Sequence, residues 1–127
     1  MRLTGAEQLE IAALIAEADD CATRRDATAY AALFDVDARM TGVQGSVAGR
    51  DAIERRVREV WAAEPDATLH LTVTPVVSAE IDDGEATARS ALLVVDPTDR
   101  RLIAVQRVSH RLVRRGAGWS FVARDIG

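Results

Sequence analysis

The chain has 127 residues, 48% hydrophobic and 28% charged. These are ordinary globular values and argue against a disordered chain. A net charge of -4 and few aromatic side chains (Tyr30, Phe34, Trp61, Trp119 and Phe121) argue against a phosphate-backbone binder or a base-stacking platform, so no nucleic acid is expected as a partner.

The length fits a single domain over 1–127, since domains most often run to about 100–150 residues. Every basic residue is Arg, and neither Lys nor Asn occurs, which removes Schiff-base and Lys-base chemistry. The Arg and Ala bias reads as a high-GC bacterial genome. Cys21 is the single cysteine, so no internal disulfide can form and a reducing compartment is expected. Its helical setting predicts a buried, inert thiol. The stretch MRLTGAEQLE has no apolar core of a leader, and no run approaches about 18 apolar residues, so a cytoplasmic protein without membrane contact is expected.

Thr4 followed by Glu7 forms a capping box. Behind it Leu9, Ile11, Leu14, Ile15, Ala18 and Ala22 recur at helical spacing, which predicts a first helix from about 5 to 24. Asp26 caps a shorter helix whose apolar face is Tyr30, Leu33 and Phe34. Residues 35–48 hold a short strand, DARMTGV, and a turn punctuated by Gly42, Gly45 and Gly49. Asp51 opens a third helix with Ile53, Val57, Val60 and Trp61 as its buried stripe, and Pro65 marks its stop.

The period then changes. Segments 67–80, 85–95, 101–114 and 118–125 are rich in Val, Thr, Leu and Ile, and DDG, DPTD and RGAG turns separate them. Helices first and meander strands later predict an α+β fold, with three N-terminal helices packed on a curved antiparallel sheet and enclosing a pocket for a small organic molecule.

Alternation in 101–114 puts Leu102, Ala104, Gln106, Val108, His110 and Leu112 on one face. The opposite face carries three polar side chains, Arg107, Ser109 and Arg111, so the even face is the core candidate. In the last strand hydrophobicity favours the Trp119, Phe121 and Ala123 side over the Ser120, Val122 and Arg124 side. Leu69, Leu71, Val73 and Val77 oppose His70, Thr72, Thr74 and Val76. Apolar residues on outer-facing positions of two strands point to a homodimer through the sheet.

Several strings, in this order and spacing, resemble the SnoaL-like branch of the nuclear transport factor 2-like superfamily: DATAYAALF from Asp26 to Phe34, DARM from Asp37 to Met40, and AGRDAI from Ala48 to Ile53. His70 ahead of Pro75-Val76-Val77, the strand DDGEATARSALLV, and HRLVRRGAGWSF from His110 to Phe121 complete them, so the resemblance covers about Glu7 to Arg124. It implies a cone-shaped half-barrel with a deep pocket, usually dimeric, in a superfamily that includes ketosteroid isomerase, scytalone dehydratase, polyketide cyclases and epoxide hydrolases. The three ketosteroid isomerase catalytic positions align with Ala18, Gly42 and Val108, none of which can move a proton. The helix-1 Asp of dehydratases aligns with Thr23. Their first catalytic His matches His70, and their strand amide falls at Val108, beside Gln106 and His110.

The resemblance places both histidines, His70 and His110, on the pocket side of neighbouring strands as the candidate catalytic residues. Gln106, Arg124, Thr72, Ser90, Val108, Met40, Val57 and Trp61 are the candidate substrate contacts. A His titrates near neutrality and can serve as general base or acid, while Arg124 and Gln106 can hold a carbonyl oxygen. That chemistry is proton transfer next to a carbonyl, as in an isomerase, dehydratase or cyclase acting without cofactor on a hydrophobic oxygenated small molecule. A cavity of roughly 300 Å³ or more with both imidazoles open to it supports a ligand site, and a filled one favours a scaffold.

Plainer readings stand beside it. The histidines can be hydrogen-bonded core residues, and Arg124 can pair with Asp19 or Asp20, which otherwise read as a solvated helix face. Tyr30 and Trp61 read as core. No spacing of His, Cys, Asp and Glu suggests a metal site. A non-catalytic ligand binder, or a dimeric scaffold plugged by Met40, Val57, Trp61 and Leu92, are the rival functions.

Overall fold

In the computed structural model, which describes residues Met1–Gly127, helix α1 (Gly5–Arg24) starts at the expected capping box. The Thr4 hydroxyl accepts from the Glu7 amide and the Glu7 carboxylate accepts from the Thr4 amide. Helix α1 ends where Arg25 turns left-handed, at φ 58°. Asp26 then caps helix α2 (Ala27–Ala32) through the Ala29 amide. Strands β1 (Phe34–Gly42) and β2 (Gly45–Ala48) form a hairpin, followed by helix α3 (Arg50–Ala62). Its N-cap is Gly49 rather than Asp51, and its φ of 89° at ψ 150° belongs to a region only glycine occupies readily. Helix α3 ends ahead of Pro65. Strands β3 (Leu69–Val77), β4 (Ala86–Asp96), β5 (Arg101–Arg115) and β6 (Gly118–Ile126) complete the chain.

The six strands make one sheet in the order β2-β1-β6-β5-β4-β3. The expected all-antiparallel sheet needs correcting, because β1 runs parallel to β6 while every other pair is antiparallel. The hairpin after α2 folds back beside the last strand, so the sheet is mixed. Edge strand β3 tolerates Pro75, which has no amide hydrogen to give a neighbour.

Side chains of α1, α2 and α3 pack with the inner sheet face around Ile11, Ile15, Phe34, Ile53, Leu112 and Phe121, all fully buried. The even face of β5 points inward at Val108, His110 and Leu112, as alternation predicts. Strand β6 departs from alternation. Leu112 pairs with Phe121 and Arg111 with Ala123, leaving Val122 as an extra bulged residue. Phe121 and Arg124, three apart, therefore both face inward, while Trp119 is only half-buried. No helix is long and apolar enough to cross a membrane.

Candidate functional site

Between α1, α3 and the inner sheet face lies a cavity of about 90 Å³. Val57, Val60, Trp61, Leu92 and Val94 give it apolar walls, and it reaches the surface at the β1–β2 turn, where Val43 is exposed. Its polar lining comes from Asp19, Tyr30, Glu64, His70, Gln106 and Arg124, with Gln44 and Arg56 nearer the opening.

Strand register explains which candidates arrive there. His70 stands opposite Val94 on β4, and Gln106 stands opposite Leu92; all four reach the cavity. Met40 pairs with Arg124 across the parallel β1–β6 contact, and both line the cavity, as do Val57 and Trp61.

Thr72, Ser90, Val108 and His110 do not line it. His110 was expected to share the cavity with His70 from a neighbouring strand, but β4 separates their strands. His110 is instead a fully buried support. Its Nδ1 accepts from Arg124 Nε at 3.3 Å, so its Nε2–H donates to Ser90 Oγ at 2.9 Å. Burial, reinforced by the Arg124 charge, pushes its pKa down from 6.5 to about 3, and the ring is neutral. Thr72 turns to Asp19, donating to its Oδ2. Val108 packs beneath Leu92 and Val94.

Arg124 is 1% exposed, and three groups hold its guanidinium. Nη2 donates to Asp19 Oδ1 at 3.0 Å, Nη1 to the Tyr30 hydroxyl at 3.0 Å, and Nε to His110. Two of its five N–H donors remain for a ligand. The pairing with Asp19 is the salt bridge the sequence allowed as an alternative. Asp19 itself is 2% exposed and belongs to the core side of α1, whereas Asp20 lies outside with Arg24. The apolar stripe carried the signal, because Asp19 follows Ile15 by four residues and Ile11 by eight. Burial pushes the Tyr30 hydroxyl above its ordinary range despite Arg124, so it stays protonated.

At the other side of the cavity His70 is 7% exposed, and its backbone amide donates to Thr23 Oγ1 at 2.8 Å. Thr23, at the aligned dehydratase Asp position, thus ties α1 to β3 rather than serving as an acid. His70 Nε2 lies 3.2 Å from Glu64 Oε1, and Nδ1 is buried without a partner. Glu64 went unnoticed in sequence, since a carboxylate in the turn after a helix follows no periodicity. No three His, Cys, Asp or Glu side chains gather as a metal site would require.

The chain matches the family model described as a SnoaL-like domain over residues 5–125. No curated protein matches it significantly. Among solved structures, a protein of unknown function with a cystatin-like fold from Nostoc punctiforme superposes with a TM-score of 0.90 at 24% identity, covering 99% of this chain and 93% of that one. ActVI-ORFA from Streptomyces coelicolor gives 0.82 at 21% identity, over 93% and 94% of the two chains. A provisionally assigned scytalone dehydratase from Novosphingobium aromaticivorans gives 0.77 at 19% identity, over 95% and 83%. At these identities the structural likeness speaks to fold alone.

Proposed function

The chain belongs to the SnoaL-like domain family, and from that premise we propose that it is a cofactor-independent acid–base enzyme whose base is His70. One observation carries the reading. His70 lines the cavity, and its Nδ1 is buried beside it with no protein group to satisfy it. A buried acceptor left empty costs about 1–3 kcal/mol, a cost that a ligand supplying a proton removes.

The proposed step is removal of a proton from carbon next to a carbonyl. The C–H electron pair moves into the new C=C bond, the carbonyl π pair moves onto oxygen, and His70 takes the proton. The free N–H donors of Arg124, with Gln106, stabilise the oxyanion. Returning the proton to another carbon gives an isomerase; re-forming the carbonyl while the enolate pair expels a β-hydroxyl, which leaves as water with the proton His70 took, gives a dehydratase. His110 acts only through Arg124.

The polar lining holds two cationic side chains, Arg56 and Arg124, and two carboxylates, Asp19 and Glu64. That balance favours an uncharged oxygenated substrate. The cavity, about 90 Å³, falls short of the roughly 300 Å³ expected of a typical ligand site. It holds the reacting end of a molecule, with the remaining carbon skeleton leading out past Val43 and Gln44. We read the hollow as the cone of a half-barrel, in a cytoplasmic protein paired with a second copy through the outer sheet face.

Uncharged ketones and β-hydroxyketones in D₂O, followed by NMR, test this. The protein is expected to exchange α-protons faster than buffer, and His70→Gln to lose about 10²-fold or more of that rate. Saturable binding without exchange favours the second reading, a non-catalytic binder. The small size of the cavity between Met40, Val57, Trp61 and Leu92, each no more than 7% exposed, favours a scaffold if neither exchange nor binding occurs.

A further inference from the structure

Glu64 stands in the turn between α3 and β3, away from every position the family resemblance singled out. It is held from several sides. Arg25 Nη1 donates to Glu64 Oε1 at 3.3 Å, and Thr68 Oγ1 donates to the same oxygen at 3.0 Å. Arg25 is itself fixed, with Nη1 on the Ala22 carbonyl and Nη2 on Thr68 Oγ1 and the Pro65 carbonyl, at 3.1, 2.7 and 3.1 Å. Its left-handed backbone at the end of α1 aims the side chain across to this turn. The end of α1, the turn itself and β3 thus converge on one carboxylate that also lines the cavity.

We infer that Glu64 is the positioning residue for His70: it accepts the Nε2–H, fixes that tautomer, and leaves the Nδ1 lone pair as the atom that takes the substrate proton. This rests on the acid–base reading above and specifies the atom that does the work. Both carboxylate oxygens sit within reach of Nε2, at 3.2 and 3.4 Å, so the ring nitrogen facing Glu64 must be the donor when the carboxylate is ionised. Burial alone would raise the Glu64 pKa, but the His70 hydrogen bond and charge, then the Thr68 hydrogen bond and the Arg25 charge, outweigh it and hold the carboxyl below its ordinary range.

The step balances within the dyad. The substrate C–H bond breaks, its electron pair moves toward the carbonyl oxygen, and the proton forms a bond to Nδ1. The ring becomes an imidazolium whose Nε2–H stays on Glu64, and the carboxylate offsets the new charge without accepting the proton. An imidazole turned the other way would place its N–H where the proton must arrive, and would be inert as a base.

The test is long-range ¹H–¹⁵N NMR of the ring nitrogens in ¹⁵N-labelled protein, with His110→Gln used to assign the two histidines. In the neutral-imidazole range the expected result is a single His70 tautomer, proton-bearing at Nε2 and proton-free at Nδ1. Glu64→Met, similar in volume and unable to accept, is expected to give an averaged mixture of tautomers. Glu64→Gln, whose amide oxygen can still accept, is expected to keep the tautomer and to slow any α-proton exchange by about tenfold or more through loss of the charge. A proton on Nδ1 in the wild type, or a Glu64→Met spectrum identical to the wild type, overturns the proposal. If Glu64→Met does not fold, the wild-type tautomer and the Glu64→Gln spectrum decide it. The NMR readout needs no substrate, so an inactive wild type would sink the enzymatic reading while the tautomer still decides the role of Glu64.

Discussion

Arg124 and Asp19 form an ion pair with almost no water around it, 1% and 2% exposed, and that fixes what their removal costs. A buried charge deprived of its partner is far worse than no charge at all. Asp19→Ala is expected to destabilise the fold by about 3–5 kcal/mol in urea denaturation. Adding Arg124→Met to Asp19→Ala is expected to recover part of that loss, since the stranded guanidinium goes too. Additive losses would show that the pair is not coupled.

His110 makes a second prediction, on pH. Burial, then the Arg124 charge, lowers its folded pKa from 6.5 to about 3, whereas the unfolded chain takes the proton near 6.5. Between those values the unfolded state binds more protons, so stability rises with pH and is lost as pH falls from about 6.5 toward 3. Urea titrations near pH 7 and near pH 4.5 are expected to show the wild type losing about 2–3 kcal/mol more than His110→Gln over that interval. Equal losses would mean that the folded protein protonates His110. At this scale alternation brought Gln106 to the inner face, whereas His70 and Arg124 were reached only through the family resemblance, since hydrophobicity favoured the Trp119 side of the last strand and the Val122 bulge that turns Arg124 inward has no sequence signal. Sequence misplaced His110, since the side chain that screens it from the cavity arrives from a different strand. It passed over Glu64, whose role depends on a turn with no period to read.

Helix ends and strand periods are local chemistry, and they were legible: the capping box at Thr4, the Asp26 cap, and the strand limits near 86, 101 and 118 all lie where residue type puts them. The parallel β1–β6 contact and the Val122 bulge were not legible, because both are settled by which distant strand is the neighbour. Two glycines on helix boundaries separate local freedom from local need. Gly49, at φ 89° and ψ 150°, caps α3, and Gly49→Ala is expected to cost about 1–3 kcal/mol by chemical denaturation. Gly5 has helical geometry and open space where a Cβ would go, so Gly5→Ala is expected to be neutral or stabilising by up to about 1 kcal/mol. A reversed order would show that the backbone at Gly49 relaxes freely.

The helices cover one face of the sheet and leave the other to solvent. On that outer face Leu71 pairs with Leu93, and Leu93 with Val105, giving an apolar row across three strands. Leu71 is 42% exposed and Val105 62%. The row runs inward from edge strand β3 to β5, so a flat partner rather than a single added strand is what would cover it. A second copy of the chain meets that need, because an isologous contact lays the same apolar row against itself. A stable pair must bury about 800 Å² on each partner, which takes most of the β3–β5 face. Val105→Glu introduces its charge twice into such a contact, once from each copy. Sedimentation is therefore expected to give a dimer for the wild type and a monomer for Val105→Glu. The variant's His70 ring spectrum should be unchanged, since the cavity opens on the opposite face. A wild type that sediments as a monomer at every concentration would rule out the pairing and leave this row as a surface with another occupant.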